Sequence, residues 1–398
     1  MSQLQFRSDD SPDKWKEGFG DGSDGSSYSV PANEGCSGTS GTKTLTLAAA
    51  GSFANDDLIL IHQTRGTGAG TWQLNKIVSG ATTTTLTLKY DLTNTYTDSG
   101  ANQAQIIEMK SYDGMTTGAI TAPTWNGSKG GILAWFDKGT TTVDNTLTLT
   151  GKGHAGGIKG DSGGAGYQGD SSTGAGAINT TTANGAGGGG GKSGTGNLGS
   201  HPGGGGGGGG NGAAGANGSD ASYTGDGGGV KGTGGAVDGG ASLVDMVMGA
   251  GGGAGGDGYS QCSGNYWAGG FIGTAGGGMS FIFAKNIVIT GAITLGSSNS
   301  ANSNGNAGVG GTGSGGSCLL KCETATLGTA KITANAGSSG SSPGRCSSTG
   351  GAGGAGSVGR IHIDYSDSFT GTTNPTIDST LDTTIKPFGS FTPRVMIF

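Results

Sequence analysis

The sequence predicts an all-β protein: an N-terminal antiparallel β domain followed by a glycine-rich body of stacked strand pairs and polyglycine-II-like helices. Three observations carry this expectation. Glycine makes up 94 of the 398 residues, against a usual share near 7%. Residues 29–120 hold short β-branched and apolar runs with period two, and a unit of Gly-Gly, strand, turn, strand and glycine recurs in the second half. With 31% hydrophobic and 12% charged residues, the glycine-rich half lacks the side chains for a conventional core. Something other than apolar burial must order it.

Residues 1–28 read as a polar attachment arm with one aromatic anchor, Trp15, and a turn-forming GDGSDG segment at 20–25. Asp21 and Asp24 do not begin the longer ligand series of an EF-hand, so no metal is expected there. In the domain from 29 to 120 the runs are TKTLTL (42–47), DLILIH (57–62), TTTLTLKY (83–90) and AQIIEMK (104–110), each bounded by Gly, Asn, Asp or Ser. Threonine alternating with leucine gives one solvated and one buried face. The expected form is a sandwich or partial barrel.

The body runs from 121 to 398. Its strand-pair repeats lie at 130–153, 277–299, 315–337 and, in degenerate form, 358–371; the last three begin 38 and 43 residues apart. A unit this small cannot bury its own apolar face, so neighbours must stack. Between them run the glycine tracts 185–191, 203–210, 226–235, 249–258 and 268–278. At a rise of about 3.1 Å per residue, an eight-glycine polyproline-II-like rod is about 25 Å long and has no internal hydrogen bonds. Glycine lets such rods approach until their N–H and C=O groups bond one another, and the flanking strands would offset the entropy lost in ordering them.

Composition also excludes partners. The net charge of −6 comes from 21 basic and 27 acidic residues without a Lys/Arg cluster, so no nucleic acid is expected. The apolar stretches 132–136 and 281–284 are far short of the roughly 18 residues of a membrane span. The N-terminus has no apolar core of a signal peptide. Five cysteines (Cys36, Cys262, Cys318, Cys322, Cys346) form no CxxC pair and read as small buried thiols.

Motifs with catalytic associations fit poorly. Residues 186–193, AGGGGGKS, match a loose phosphate-binding loop, but TTTAN precedes and GTGNLGSHP follows; the motif needs a strand before it and a helix after it. Residues 252–260 resemble one calcium β-roll repeat, in a single copy, whereas those rolls need tandem copies. The histidines His62, His154, His201 and His362 show no paired spacing. The expectation is no enzyme, no cofactor and no metal.

Aromatics beside the glycine tracts have two readings. They cap the ends of the bundle, or they stand on connecting loops where rigid amphipathic rings contact a sugar or protein receptor. The candidate receptor-binding residues are Tyr259, Tyr266, Trp267 and Phe271, with Tyr223 and His201 as further members.

Glycine tracts interrupted by loops, behind a β-rich N-terminal region, resemble the distal adhesins at the tips of T-even-type phage long tail fibres. This resemblance covers about 155–278 and is one of composition and layout. The segments GDGSDG, LILIHQTRGTGAGTW (58–72), GGILAWF, GKGHAGG and GGAGSVGRIHIDYS (353–366) are similar to a broad family of glycine-rich surface and phage-borne proteins. The resemblance implies a non-enzymatic protein of a virion tail or extracellular surface, binding a host glycan or protein. It also implies a homo-oligomer, a trimer by analogy, docked to other virion or filament proteins through its N-terminal region. The T-even adhesins are shorter and lack the C-terminal strand repeats. The alternative is a self-assembling filament or sheath subunit whose tail FTPRVMIF (391–398) inserts into the next copy.

Overall fold

The computed structural model describes residues 18–160, 164–194, 201–223, 227–260, 266–303, 305–343 and 348–385. No helix of any kind, polyglycine-II included, is assigned among them. Most of the expected attachment arm and the 391–398 tail lie outside the described residues.

The N-terminal part is a closed antiparallel barrel of β1 (Asn33–Ser37), β2 (Thr44–Leu47), β3 (Leu58–Arg65), β4 (Trp72–Ser79), β5 (Thr85–Leu88) and β6 (Gln103–Glu108). Strand β1 pairs both β2 and β6, which closes the ring, where a sandwich or partial barrel was expected. In β2 and β5 exposed threonine alternates with buried leucine. Strand β3 is buried along its whole length because it serves two cores. Ile59 and Ile61 point into the barrel, while Leu58 and Leu60 point outward against a second sheet.

The chain then forms β7 (Lys110–Tyr112), β8 (Ile120–Thr121), β9 (Ile132–Val143) and β10 (Thr146–Thr148). Short strands β11 (Ser222–Tyr223), β12 (Gly258–Ser260) and β13 (Tyr266–Ala268) follow. After them come β14 (Met279–Ile289), β15 (Ala292–Thr294), β16 (Ser317–Thr333), β17 (Ser348–Thr349), β18 (Arg360–Asn374) and β19 (Asp378–Leu381). Nine of these make a parallel sheet in the order β7-β9-β14-β16-β15-β10-β8, with β18 and then β19 beyond β16.

This corrects the expectation of stacked strand pairs. Strands of one unit do not pair with each other: β9 pairs β14 and β7, and β10 pairs β15 and β8. Met279 lies opposite both Ile132 and Ser317, and Ser317 opposite Arg360, so the register follows the sequence repeat. The physical reason is that the first halves of β9, β14 and β16 are buried on both faces. Leu133, Trp135, Ile282, Leu320 and Ile363 pack inside the curve. On the convex face Phe136, Phe281, Phe283 and Leu319 meet the barrel's Leu60, Trp72 and Leu74. A strand buried on both sides favours parallel neighbours over a hairpin with one wet face. Strand β16 is long enough to pair β14 at its start and β15 at its end, which bends the sheet round this core. Cys36, Cys318 and Cys322 are buried free thiols; Cys262 and Cys346 lie outside the described residues.

The glycine tracts are tied together by backbone bonds with period three. Gly203, Gly206 and Gly209 donate to the carbonyls of Asn306, Val309 and Thr312. Gly204, Gly207 and Gly210 donate to Lys192, Gly189 and Ala186, and Gly205 and Gly208 to Ser219 and Ala216. The carbonyls of Gly203 to Gly209 accept in the same rhythm from the 351–357, 253–256 and 232–235 segments. One tract thus has six neighbours. The backbone groups of this coreless region are satisfied by one another, as buried groups must be. At the margins side chains of matching period take over: Asn299 and Asn302 accept from the amides of Ser338 and Ser341, and Asn217 and Asp220 from Gly234 and Lys231.

Candidate receptor-binding end of the glycine body

Each tract has one end beside the parallel sheet and one end away from it. Gly249 bonds Gly277 just before β14, while Gly258 at the other end of the same tract begins β12. At that far end the described ends of several tracts meet. Gly203 reaches Asn306, Lys192 reaches Val230, Asp257 reaches Gly164, and Tyr223 of β11 lies opposite Ser348 of β17.

The centre of this end is a pair of expected site residues. His201 and Tyr259 exchange backbone hydrogen bonds of 2.9 and 2.8 Å, and their rings stack with centroids 6.0 Å apart and planes at 23°. Both residues are half-buried. Tyr259 also lies opposite Trp267 across β12 and β13, with Ser260 opposite Tyr266. The backbone therefore gathers His201, Tyr259, Tyr266 and Trp267. Tyr223 belongs to another strand pair at the same end. Phe271 is half-buried and sits within a tract, donating to Gly308 and accepting from Gly255, so it flanks the cluster instead of standing on a loop.

Sequence reasoning missed the residue that pins these ends. The Asp257 side chain is buried and accepts from the amides of Gly164 at 3.1 Å and Gly270 at 2.7 Å. Ser193 adds its hydroxyl to the carbonyls of Gly164 and Asp257, and Asn306 donates to the Tyr259 carbonyl at 3.4 Å. The available signal was a lone carboxylate in a glycine tract, where only backbone amides can partner it. Asp257→Ala strands two amides and is expected to cost about 2–6 kcal/mol, since each orphaned buried group costs about 1–3 kcal/mol. Amide exchange at Gly164 and Gly270 checks this: it should accelerate, and unchanged protection would contradict the assignment.

The loose phosphate-loop match has no loop. Lys192 donates its amide to Val230 and accepts from Gly204, as any lattice residue would. Among the described residues no group of three or more His, Cys, Asp or Glu is placed to hold a metal ion, and no helix is long and apolar enough to cross a membrane. Comparison with protein families, curated proteins and solved structures finds no match.

Proposed function

We propose that the protein is a non-enzymatic adhesion protein of a virion or cell surface, a tail-fibre or spike component that binds the host through the far end of its glycine body. In this reading the tracts are polyglycine-II-like rods. The observation that carries it is the eight-glycine tract 203–210, bonded with period three to six neighbours. Three residues per turn is the period of this helix, and six-fold bonding makes the rods a stiff support. Binding surfaces are commonly loops and chain ends held by such a scaffold. The His201 and Tyr259 rings stack and the backbone brings Trp267 into register with Tyr259, a gathering of aromatic residues suited to a glycan or protein receptor. The N-terminal region would dock to the particle, and several copies would turn weak single contacts into avidity. The likeness of composition and layout to the T-even tip adhesins supports the same reading.

The test is binding of labelled full-length protein to susceptible cells. Tyr259→Ala with Trp267→Ala is expected to weaken binding at least about tenfold, the loss of one strong aromatic contact, with no change in melting temperature. Unchanged binding would remove this end from the proposal. The filament reading is favoured by one feature: β19 ends the parallel sheet with all four residues exposed, an edge open to pairing. Electron microscopy separates the two, because discrete particles fit the adhesin and long fibres the filament.

A further inference from the structure

The barrel is held to the glycine body by a buried junction that contains two histidines. His62 on β3 and His154 at the start of the first glycine segment are both fully buried. The His62 Nε2 lies 2.9 Å from the carbonyl oxygen of Met246. A carbonyl only accepts, so Nε2 carries the proton and Nδ1 takes the hydroxyl of Thr64 at 2.9 Å. The same stretch is fastened twice more, by Met246 N–H to Gly70 and by Trp72 Nε1–H to Val244. The His154 backbone is part of the lattice, donating to Gly249 and accepting from Gly276. Its ring packs edge-on against Trp125 at 5.7 Å, and neither ring nitrogen has a protein partner.

The charges around these rings are unbalanced toward the positive. Arg65, nearly buried, lies over the Trp125 ring at 6.0 Å. Among the described residues its carboxylate partner is Asp170, at 3.9 Å. Lys152 accepts the Trp125 amide on its carbonyl and donates from its ammonium to the Thr124 hydroxyl. Asp245, next to Met246, is exposed. The strands beside His62 present neutral Trp72 and Gln105. No carboxylate among the described residues bonds either imidazole.

The geometry points to an acid-sensitive latch between the barrel and the glycine lattice, in which His62 and His154 must both stay neutral for the two parts to remain docked. Burial holds both rings well below the ordinary histidine value of 6.5, His62 at about 4 and His154 at about 3, with Arg65 adding to the effect on His154. The sign follows from linkage. Above about pH 6.5 the rings are neutral whether docked or exposed, and pH has no effect through them. Below it the undocked state takes up protons that the docked state refuses. Undocking therefore gains up to about tenfold per pH unit for each histidine, about a hundredfold for both. The lattice itself is held by neutral backbone bonds, so acid opens the junction before it dissolves the rods. This inference does not depend on the receptor-binding reading.

The test uses the full chain. An acid titration from pH 7.5 to 3.5 is followed by tryptophan emission, since Trp72 and Trp125 both line the junction. A transition is expected below pH 6. In His154→Phe, which keeps a flat ring and removes the proton site, its midpoint should fall by at least about half a pH unit. An unchanged midpoint in a variant with wild-type melting behaviour at pH 7.5 would overturn the latch. If that variant does not fold, NMR titration of the wild-type histidine ring protons decides. His62 and His154 should remain neutral down to about pH 5 in the docked protein, and titration of both near 6.5 without loss of structure would overturn it.

Discussion

Gly206→Val is expected to unfold the glycine body at temperatures the native protein withstands. A Cβ at Gly206 would fall on the Gly253 carbonyl oxygen, closer than side chains ever approach backbone, and one at Gly207 would fall on that of Thr233. Neither obstacle is a side chain that could rotate away. To admit the substituent, one segment must move from its neighbour and break bonds of the period-three pattern, such as those of Gly206 to Val309 and of Gly354 to Gly206. Overpacking costs about 1–3 kcal/mol in a core of side chains, and each lost backbone bond adds about 1 kcal/mol. The expected loss is about 4 kcal/mol, read as a lowered midpoint in denaturant unfolding. The control is Gly174→Ala. Nothing lies within 4 Å of its would-be Cβ, so it should shift stability by no more than about 0.5 kcal/mol.

Phe281→Ala is expected to cost about 3–5 kcal/mol, the range for removing a buried phenylalanine. Phe281 is fully buried on the convex face of the parallel sheet, where its ring meets Trp72 edge-on at 5.2 Å and His62 at 6.3 Å. It joins three parts at once: β14 of the sheet, β3 and β4 of the barrel, and through His62 the stretch that leads into the lattice. The variant should therefore lower the stability of barrel and sheet together, seen as one coincident transition by far-UV circular dichroism and tryptophan emission. A loss below about 1 kcal/mol would mean that the barrel is not docked as described.

The strands were legible where chemistry is local. The alternation in Thr44-Leu45-Thr46-Leu47 fixes which face is wet, and β2 shows that pattern. The spacing of the Gly-Gly units likewise predicts which strands are equivalent. Their pairing was not legible, because a unit such as 277–299 reads as a hairpin until it is known that both faces are covered. The barrel's closure depends on β1 meeting β6 about 70 residues later in the chain, which no local pattern encodes. At the candidate site, sequence position alone suggested the 257–271 region. That His201 stacks on Tyr259, more than fifty residues away, follows from the backbone bonds that join the two segments, and single residues do not reveal it. Asp257 was hidden because its partners are backbone amides, which carry no sequence signature.

The glycine tracts are ordered by their own backbone bonds. Hydrogen exchange of the intact protein at neutral pH, read for peptides covering 203–210 and 249–258, tests it most directly. Protection comparable to that of β14 is expected, since every amide from Gly203 to Gly210 is bonded to a neighbouring segment. Exchange of these amides at the rate of a free glycine-rich chain would contradict it.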